Sequence, residues 1–137
     1  LLALEGETWQ KGALFGCRCR RAVCPEKSAP GVCYIAAFQG RPLLRPRLSG
    51  DQIKLPGRDT KSLKKLFIEA KIPRRDRERI SVLADEGGII AVAGFGPSAG
   101  RMARPGEEAW EIAFLPAADQ PNEKERERML NDAGTRY

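Results

Sequence analysis

Histidine is absent from this chain of 137 residues. Without it there is no Ser-His or Cys-His pair to activate a nucleophile. A zinc site would have to rest on cysteine alone, and only Cys17, Cys19, Cys24 and Cys33 are present. Zinc ligands usually come in pairs two to four residues apart, whereas one, four and eight residues separate these cysteines. Buried thiols in a reducing compartment are the plain expectation, with a metal site or a disulfide as the alternatives. Long apolar runs are also missing: nothing approaches the roughly 18 residues of a membrane span. The opening "LLALEG" is too short for a secretory signal and does not begin with Met, so the chain is expected to be a piece of a longer, cytoplasmic protein. A phosphate-cradling loop is lacking too. "GFGPSAG" follows a strand but runs into "RMARPG" and opens no helix. Asp51 and Asp85 are the carboxylates beside glycine turns, and turn capping accounts for both. No catalytic and no metal-ligating residue is assigned, and no internal repeat is found.

What is present describes an ordinary globular chain, 42% hydrophobic and 31% charged. Its length allows about two-thirds of the chain surface to be buried on folding. Trp9 to Cys24 reads as one strand or two. "GVCYIAAF" (Gly31 to Phe38) reads as another, after the turn chemistry of "PEKSAPG". In "LFGCRCR" the alternation turns Cys17 and Cys19 inward with Phe15 and Arg18 and Arg20 outward. "PLLRPRLSGDQIKL" suits a sheet edge, because Pro46 cannot donate a ladder hydrogen bond. Thr60 to Pro73, "TKSLKKLFIEAKIP", is an amphipathic helix with Asp59 or Thr60 as N-cap, stopped by Pro73. "RRDRER" adds a short basic helical turn. "SVLADEGGIIAVAG" is a hairpin with Gly87-Gly88 at its tip. A loop from Gly96 to Gly106 leads to the last strand, "EEAWEIAF", with Trp110, Ile112 and Phe114 inward. Strands that precede, flank and follow a central helix define an α+β fold. Residues 1–115 are expected to form one domain, and 116–137 a polar tail or frayed helix.

The net charge of +6 and pI near 9.4 favour an acidic partner. The charge is local. Between Arg41 and Ile80, thirteen basic residues stand against five acidic ones, a surplus of eight that exceeds the whole chain's. Wound at about 100° per residue, the helix turns Leu63, Leu66, Phe67 and Ala70 to the core. Lys61, Lys64, Lys65 and Lys71 line the other side, with Ile68 between Lys64 and Lys65. One such helix is often no more than a solvated surface. Here an arginine strand precedes it and an arginine turn follows, and three successive elements of one sign repel unless a polyanion lies across them. Ile68 is expected to pack beneath the Arg74–Arg79 turn, or else to meet ribose.

The stretch from Leu43 to Phe95 resembles the C-terminal domain of bacterial tRNA(Ile)-lysidine synthetase. The pattern is an Arg-x-Arg strand, Gly-Asp, a Thr-Lys-x-Leu-Lys-Lys helix, Ile-Pro, an Arg beyond that Pro, and a hairpin ending in Gly. Arg45, Arg47, Gly50, Asp51, Lys61, Leu63, Lys64, Lys65, Ile72, Pro73, Arg77 and Gly94 fill these positions. The best-matched part is 42–95; Ser81 stands where the family usually has Pro, and residues 1–39 match weakly.

The resemblance implies a small β-sandwich of unusual topology with helical cover, similar to a domain of the phenylalanyl-tRNA synthetase β chain. It also implies a non-catalytic domain that holds tRNA(Ile), chiefly at the acceptor stem. The full-length ligase uses ATP to attach lysine to the wobble cytidine of that tRNA, changing its decoding from AUG to AUA. ATP and lysine belong to an N-terminal catalytic domain carrying a Ser-Gly-Gly-x-Asp-Ser loop, a motif this chain lacks. That domain of the same polypeptide is an expected partner, and no membrane is. A-form stems expose phosphates and 2′-hydroxyls, which suits lysine and arginine on rigid elements. Lys61, Lys64 and Lys65 are the first candidates for RNA contact and Arg45, Arg47 and Arg77 the next, Arg77 being equally able to pair with Asp51. The alternative is a structural docking or dimerisation module with no direct RNA contact.

Overall fold

The computed structural model describes residues 7–10 and 12–116; the predicted tail beyond Pro116 lies outside them. The first sheet begins with β1 (Glu7–Gln10) and β2 (Phe15–Val23), the two strands expected between Trp9 and Cys24. β10 (Glu108–Pro116) runs antiparallel to β2 over nine paired positions, from Glu108 opposite Val23 to Pro116 opposite Phe15. β3 (Val32–Ile35) closes the order β1-β2-β10-β3. A second antiparallel sheet has the order β4-β7-β8-β9, from β4 (Leu43–Arg45), β7 (Val82–Asp85), β8 (Gly88–Val92) and β9 (Gly96–Pro97). β4 occupies its edge directly before Pro46, as the missing amide requires. β5 (Gln52–Ile53) and β6 (Lys61–Ser62) make a two-stranded ribbon. Helix is scarce: α1 (Leu63–Glu69), α2 (Arg74–Arg77) and a 3₁₀ turn at Ala99–Arg101. The described residues are therefore mostly β, with more sheet and less helix than the sequence suggested for them.

Strand alternation explains the core. Cys17, Cys19, Cys33, Ile35, Trp110 and Ile112 of the first sheet meet Leu83, Ile90 and Ala91 of the second in one buried cluster. Phe38 and Trp110 stack at 5.2 Å, and the Arg21 guanidinium lies 4.8 Å from the Trp110 ring. Val82 and Val92 instead join Leu63, Leu66 and Phe67 of α1 with Ile53, Leu55 and Ile80. The β5–β6 ribbon and α1 thus share a core with the second sheet. Leu63 and Phe67 are fully buried, each stabilising by about 1.5–3 kcal/mol relative to exposure.

Three boundaries differ from the sequence reading. The helix starts at Leu63, three residues late, because Lys61 and Ser62 pair with β5 and the Leu63 amide donates to the Asp51 carbonyl (2.9 Å). Ser62, rather than Asp59 or Thr60, is the N-cap, its Oγ accepting from the Lys65 amide (3.2 Å). The helix ends at Glu69, ahead of Pro73. The Lys71 and Ile72 amides return to the carbonyls of Ile68 and Phe67, both at 3.0 Å, which is a Schellman motif. Its left-handed position is Lys71, at φ 59°. At the hairpin, Asp85 faces Gly88, so Glu86-Gly87 is the two-residue turn, one residue earlier than expected. Inside the loop from Gly96 to Gly106 lie β9, the 3₁₀ turn and a bridge from Ile35 to Met102. Ser81, at the usual proline position, is buried and donates to the Phe15 carbonyl (2.6 Å).

Candidate nucleic-acid interface

The apolar side of α1 is fixed by Leu63, Leu66 and Phe67, so Lys64 and Lys65 point away from the core and are exposed. Neither forms a side-chain hydrogen bond or ion pair among the described residues, and both sit one helical turn from Ile68. Ile68 is 46% exposed. The expected packing beneath the following arginine turn does not occur, because the Schellman motif redirects the chain at Lys71 and Ile72 covers the core instead. Lys71, Arg74 and Arg75 continue the exposed cationic series. Sequence reasoning assigned none of these three to the RNA-contacting set, although the position of Pro73 marked where the chain turns.

The other candidates are engaged within the protein. Lys61 lies on β6, not on the helix, and its Nζ pairs with the Glu69 carboxylate. The hydrogen bond from Lys61, with the charges of Lys61, Lys65 and Arg58, holds the Glu69 carboxyl below the usual range. Arg45 makes a two-pronged contact to Asp51 at 2.8 and 3.2 Å, and Asp51 also accepts the Leu48 amide at 2.7 Å. Burial opposes the Asp51 charge, but the Arg45 and Leu48 hydrogen bonds and the fields of Arg45 and Arg47 outweigh it and lower its pKa. Arg45 therefore takes the role offered to Arg77. Arg77 instead donates Nε to the Ile72 carbonyl (3.0 Å), tying α2 to the end of α1. Arg47 is half-buried, and its Nε finds no partner among the described residues. Of the six candidates, Lys64 and Lys65 stand outward and unpaired; Lys61, Arg45 and Arg77 stabilise the corner that carries them.

Asp85 caps its turn as expected, accepting Gly87 (2.9 Å) and Gln39 (2.7 Å) amides, and additionally pairs with Arg101. Glu111, between the inward Trp110 and Ile112, is nevertheless only 6% exposed: Arg18 and Arg20 reach it at 3.3 and 3.1 Å. The pairing of β2 with β10 creates that cluster, and an Arg-x-Arg alternation was its only sequence trace. All four cysteines are buried free thiols. Burial pushes Cys19 and Cys33 up to about 12, and Cys17 further. Among the described residues no three His, Cys, Asp or Glu gather as a metal site would require, and no helix is long and apolar enough to cross a membrane. Gly96-Pro97-Ser98-Ala99-Gly100 has the Gly-x-Ser-x-Gly spacing of a nucleophile elbow. Its serine lies between a two-residue strand and a 3₁₀ turn, in a chain without histidine.

These features define a class: a small antiparallel β protein carrying a rigid cationic corner on one short helix and the turn after it. Within that class, the TilS substrate C-terminal domain family matches residues 43–114, and the chain belongs to it. A crystal structure of a TilS C-terminal domain superposes with TM-score 0.66 at 26% identity, covering 80% of this chain and 97% of that one. The tRNA(Ile)-lysidine synthase of Geobacillus kaustophilus is 47% identical over 58 residues, 41% of this chain and 12% of that protein. The enzyme of the same name from Clostridioides difficile is 42% identical over 57 residues, 42% of this chain and 12% of that protein. The bifunctional TilS/HprT protein of Listeria monocytogenes is 41% identical over 59 residues, 42% of this chain and 9% of that protein. The matches therefore span about a tenth of these relatives' lengths.

Proposed function

We propose that this chain holds tRNA(Ile) for a tRNA(Ile)-lysidine synthetase, chiefly along the acceptor stem, and contributes no catalytic group itself. The observation that carries this reading is the corner formed by Lys64, Lys65, Lys71, Arg74 and Arg75. All five are exposed, close together along the chain, and none forms an ion pair among the described residues. Phosphates spaced along a stem would neutralise them, with counterion release supplying the affinity. The family's description as a substrate domain supports the same partner. In this reading residues 1–115 act as one unit, and its packed sheets with helical cover are a small sandwich of the phenylalanyl-tRNA synthetase β-chain type. ATP, lysine and the ligation that alters wobble decoding belong to an N-terminal catalytic domain of the same polypeptide, in the cytoplasm.

The test is equilibrium binding of a tRNA(Ile) transcript across a salt series. Replacing Lys64 and Lys65 together with Ala should flatten the log–log slope by roughly 0.9 for each phosphate no longer neutralised. A slope unchanged by the substitutions would favour docking onto another protein surface.

A further inference from the structure

Between the β5–β6 ribbon and α1 lies a cleft of about 150 Å³, lined by Ile53, Leu55 and Leu66 together with the charged Arg58, Asp59 and Lys61. Glu69 reaches back from the last turn of α1 to pair with Lys61. The two side chains remain 28% (Lys61) and 45% (Glu69) exposed, so the pair is of the weak, solvent-screened kind. It is an odd placement for an acid. Glu69 lies on the segment with the greatest excess of positive charge, paired to Lys61 of the half-apolar cleft's lining, with Arg58 and Lys65 close enough for their charge to act on the same carboxyl. Three cations about one exposed oxyanion are the usual surroundings of a phosphate.

We propose that this cleft is an RNA phosphate subsite in which the Glu69 carboxylate holds the place of one phosphate until nucleic acid arrives. The proposal rests on the tRNA-binding reading and adds to it a position and an exchange. In free protein Glu69 keeps the Lys61 ammonium aimed across the cleft, so little ordering remains to be done on binding. A backbone phosphate, held in place by contacts to Lys64 and Lys65 on the neighbouring turn, displaces the carboxylate. The adjoining ribose then lies over the apolar floor. The cleft is smaller than the 300–1,000 Å³ or so of a drug-sized site, which suits one sugar rather than a free nucleotide. Because a loose anion lacks the neighbouring phosphates, it competes poorly with Glu69, and the subsite favours a continuous backbone.

Removal of the acid therefore strengthens binding. Glu69→Gln should tighten a tRNA(Ile) transcript about two- to fivefold at low salt, the range an exposed pair of this strength allows. It should also steepen the salt slope by roughly 0.7–0.9. Glu86→Gln, at the β7–β8 turn, removes the same charge elsewhere and should reproduce neither effect. In a Lys61→Ala background the gain from Glu69→Gln should vanish. The proposal is overturned if Glu86→Gln matches Glu69→Gln, if the gain survives without Lys61, or if Glu69→Gln weakens binding. If the wild-type chain itself does not bind the transcript, the tRNA reading falls and the subsite with it.

Discussion

Lys71 separates the stability of this corner from its charge. It is a non-glycine residue at φ 59°, in the left-handed position of a Schellman motif that glycine usually fills. An L side chain in that region costs about 1–2 kcal/mol. Substituting glycine relieves the cost but raises the unfolded chain's entropy by about 0.5–1 kcal/mol. The difference leaves Lys71→Gly more stable by roughly 0.5–1 kcal/mol. Unfolding entropy near 2.1 cal/mol/K per residue, over about a hundred ordered residues, converts 1 kcal/mol to a rise of about 4–5 °C in Tm. Lys71→Ala keeps the strained backbone and removes only the ammonium, so its stability should stay near wild type. Both variants remove the same charge, and both should weaken tRNA binding equally, with a slope reduced by roughly 0.9 if Lys71 meets a phosphate. Thermal denaturation read alongside salt-dependent binding separates the two effects. Equal Tm for the glycine and alanine variants would refute the left-handed cap. Unchanged binding by both would remove Lys71 from the interface.

Two more predictions concern groups whose charge is set by the fold. The Cys19 and Cys33 thiols titrate near 12 when folded and near 9 when unfolded. Their raised pKa means that stability is intact below about pH 9 and declines towards pH 12, by up to about 1.4 kcal/mol per pH unit for each thiol. Urea melts between pH 8 and 11 check this. Because Cys17 is pushed up further still and adds its own slope, a Cys17→Ala, Cys19→Ala, Cys33→Ala triple variant should remove most of the decline, and the Cys19→Ala, Cys33→Ala pair only part of it. Asp51 has the opposite sign: its pKa is lowered in the fold, so its contribution is present above the ordinary carboxylate range and disappears on acidification through the folded value. Asp51→Ala should destabilise by about 1–3 kcal/mol at neutral pH, since it strands Arg45 and the Leu48 amide, and should shrink the fall in stability on acidification through and below the ordinary carboxylate range.

The sequence disclosed what depends on alternation and local chemistry. Cys17 and Cys19 face inward because of a period of two, and Leu63, Leu66 and Phe67 do so because of a period of 3.6. Pro46 marked an edge and the glycines after Asp85 marked a hairpin. The misses are of another kind. Thr60 is a sound local N-cap, yet pairing of Lys61 and Ser62 with β5 moves the helix start to Leu63, a tertiary contact overriding propensity. Ile68 was expected beneath the arginine turn because a lysine-flanked isoleucine looks misplaced on a surface. The left-handed Lys71 that prevents this has no signature, since the residue there is not glycine. Arg77 was the partner offered for Asp51, and three-dimensional placement gives that role to Arg45 instead.

Those misses bear on why the cationic corner is rigid. Thirteen basic residues in forty would be expected to keep a segment loose through mutual repulsion. Here some of the basic residues brace the backbone while others stand outward. Arg45 closes the Leu48–Asp51 turn and Arg77 bolts α2 to the Ile72 carbonyl. Each of these contacts braces an end of the short helix, which at seven residues could not persist on its own propensity. Lys64, Lys65, Lys71, Arg74 and Arg75 can then stand exposed at fixed positions, because the first group has already met the cost of ordering the backbone beneath them. The two groups should respond differently to salt. Screening leaves the half-buried Arg45–Asp51 contact largely intact, while it relieves repulsion among the outward cations. Their field therefore acts mainly on a ligand rather than on the fold.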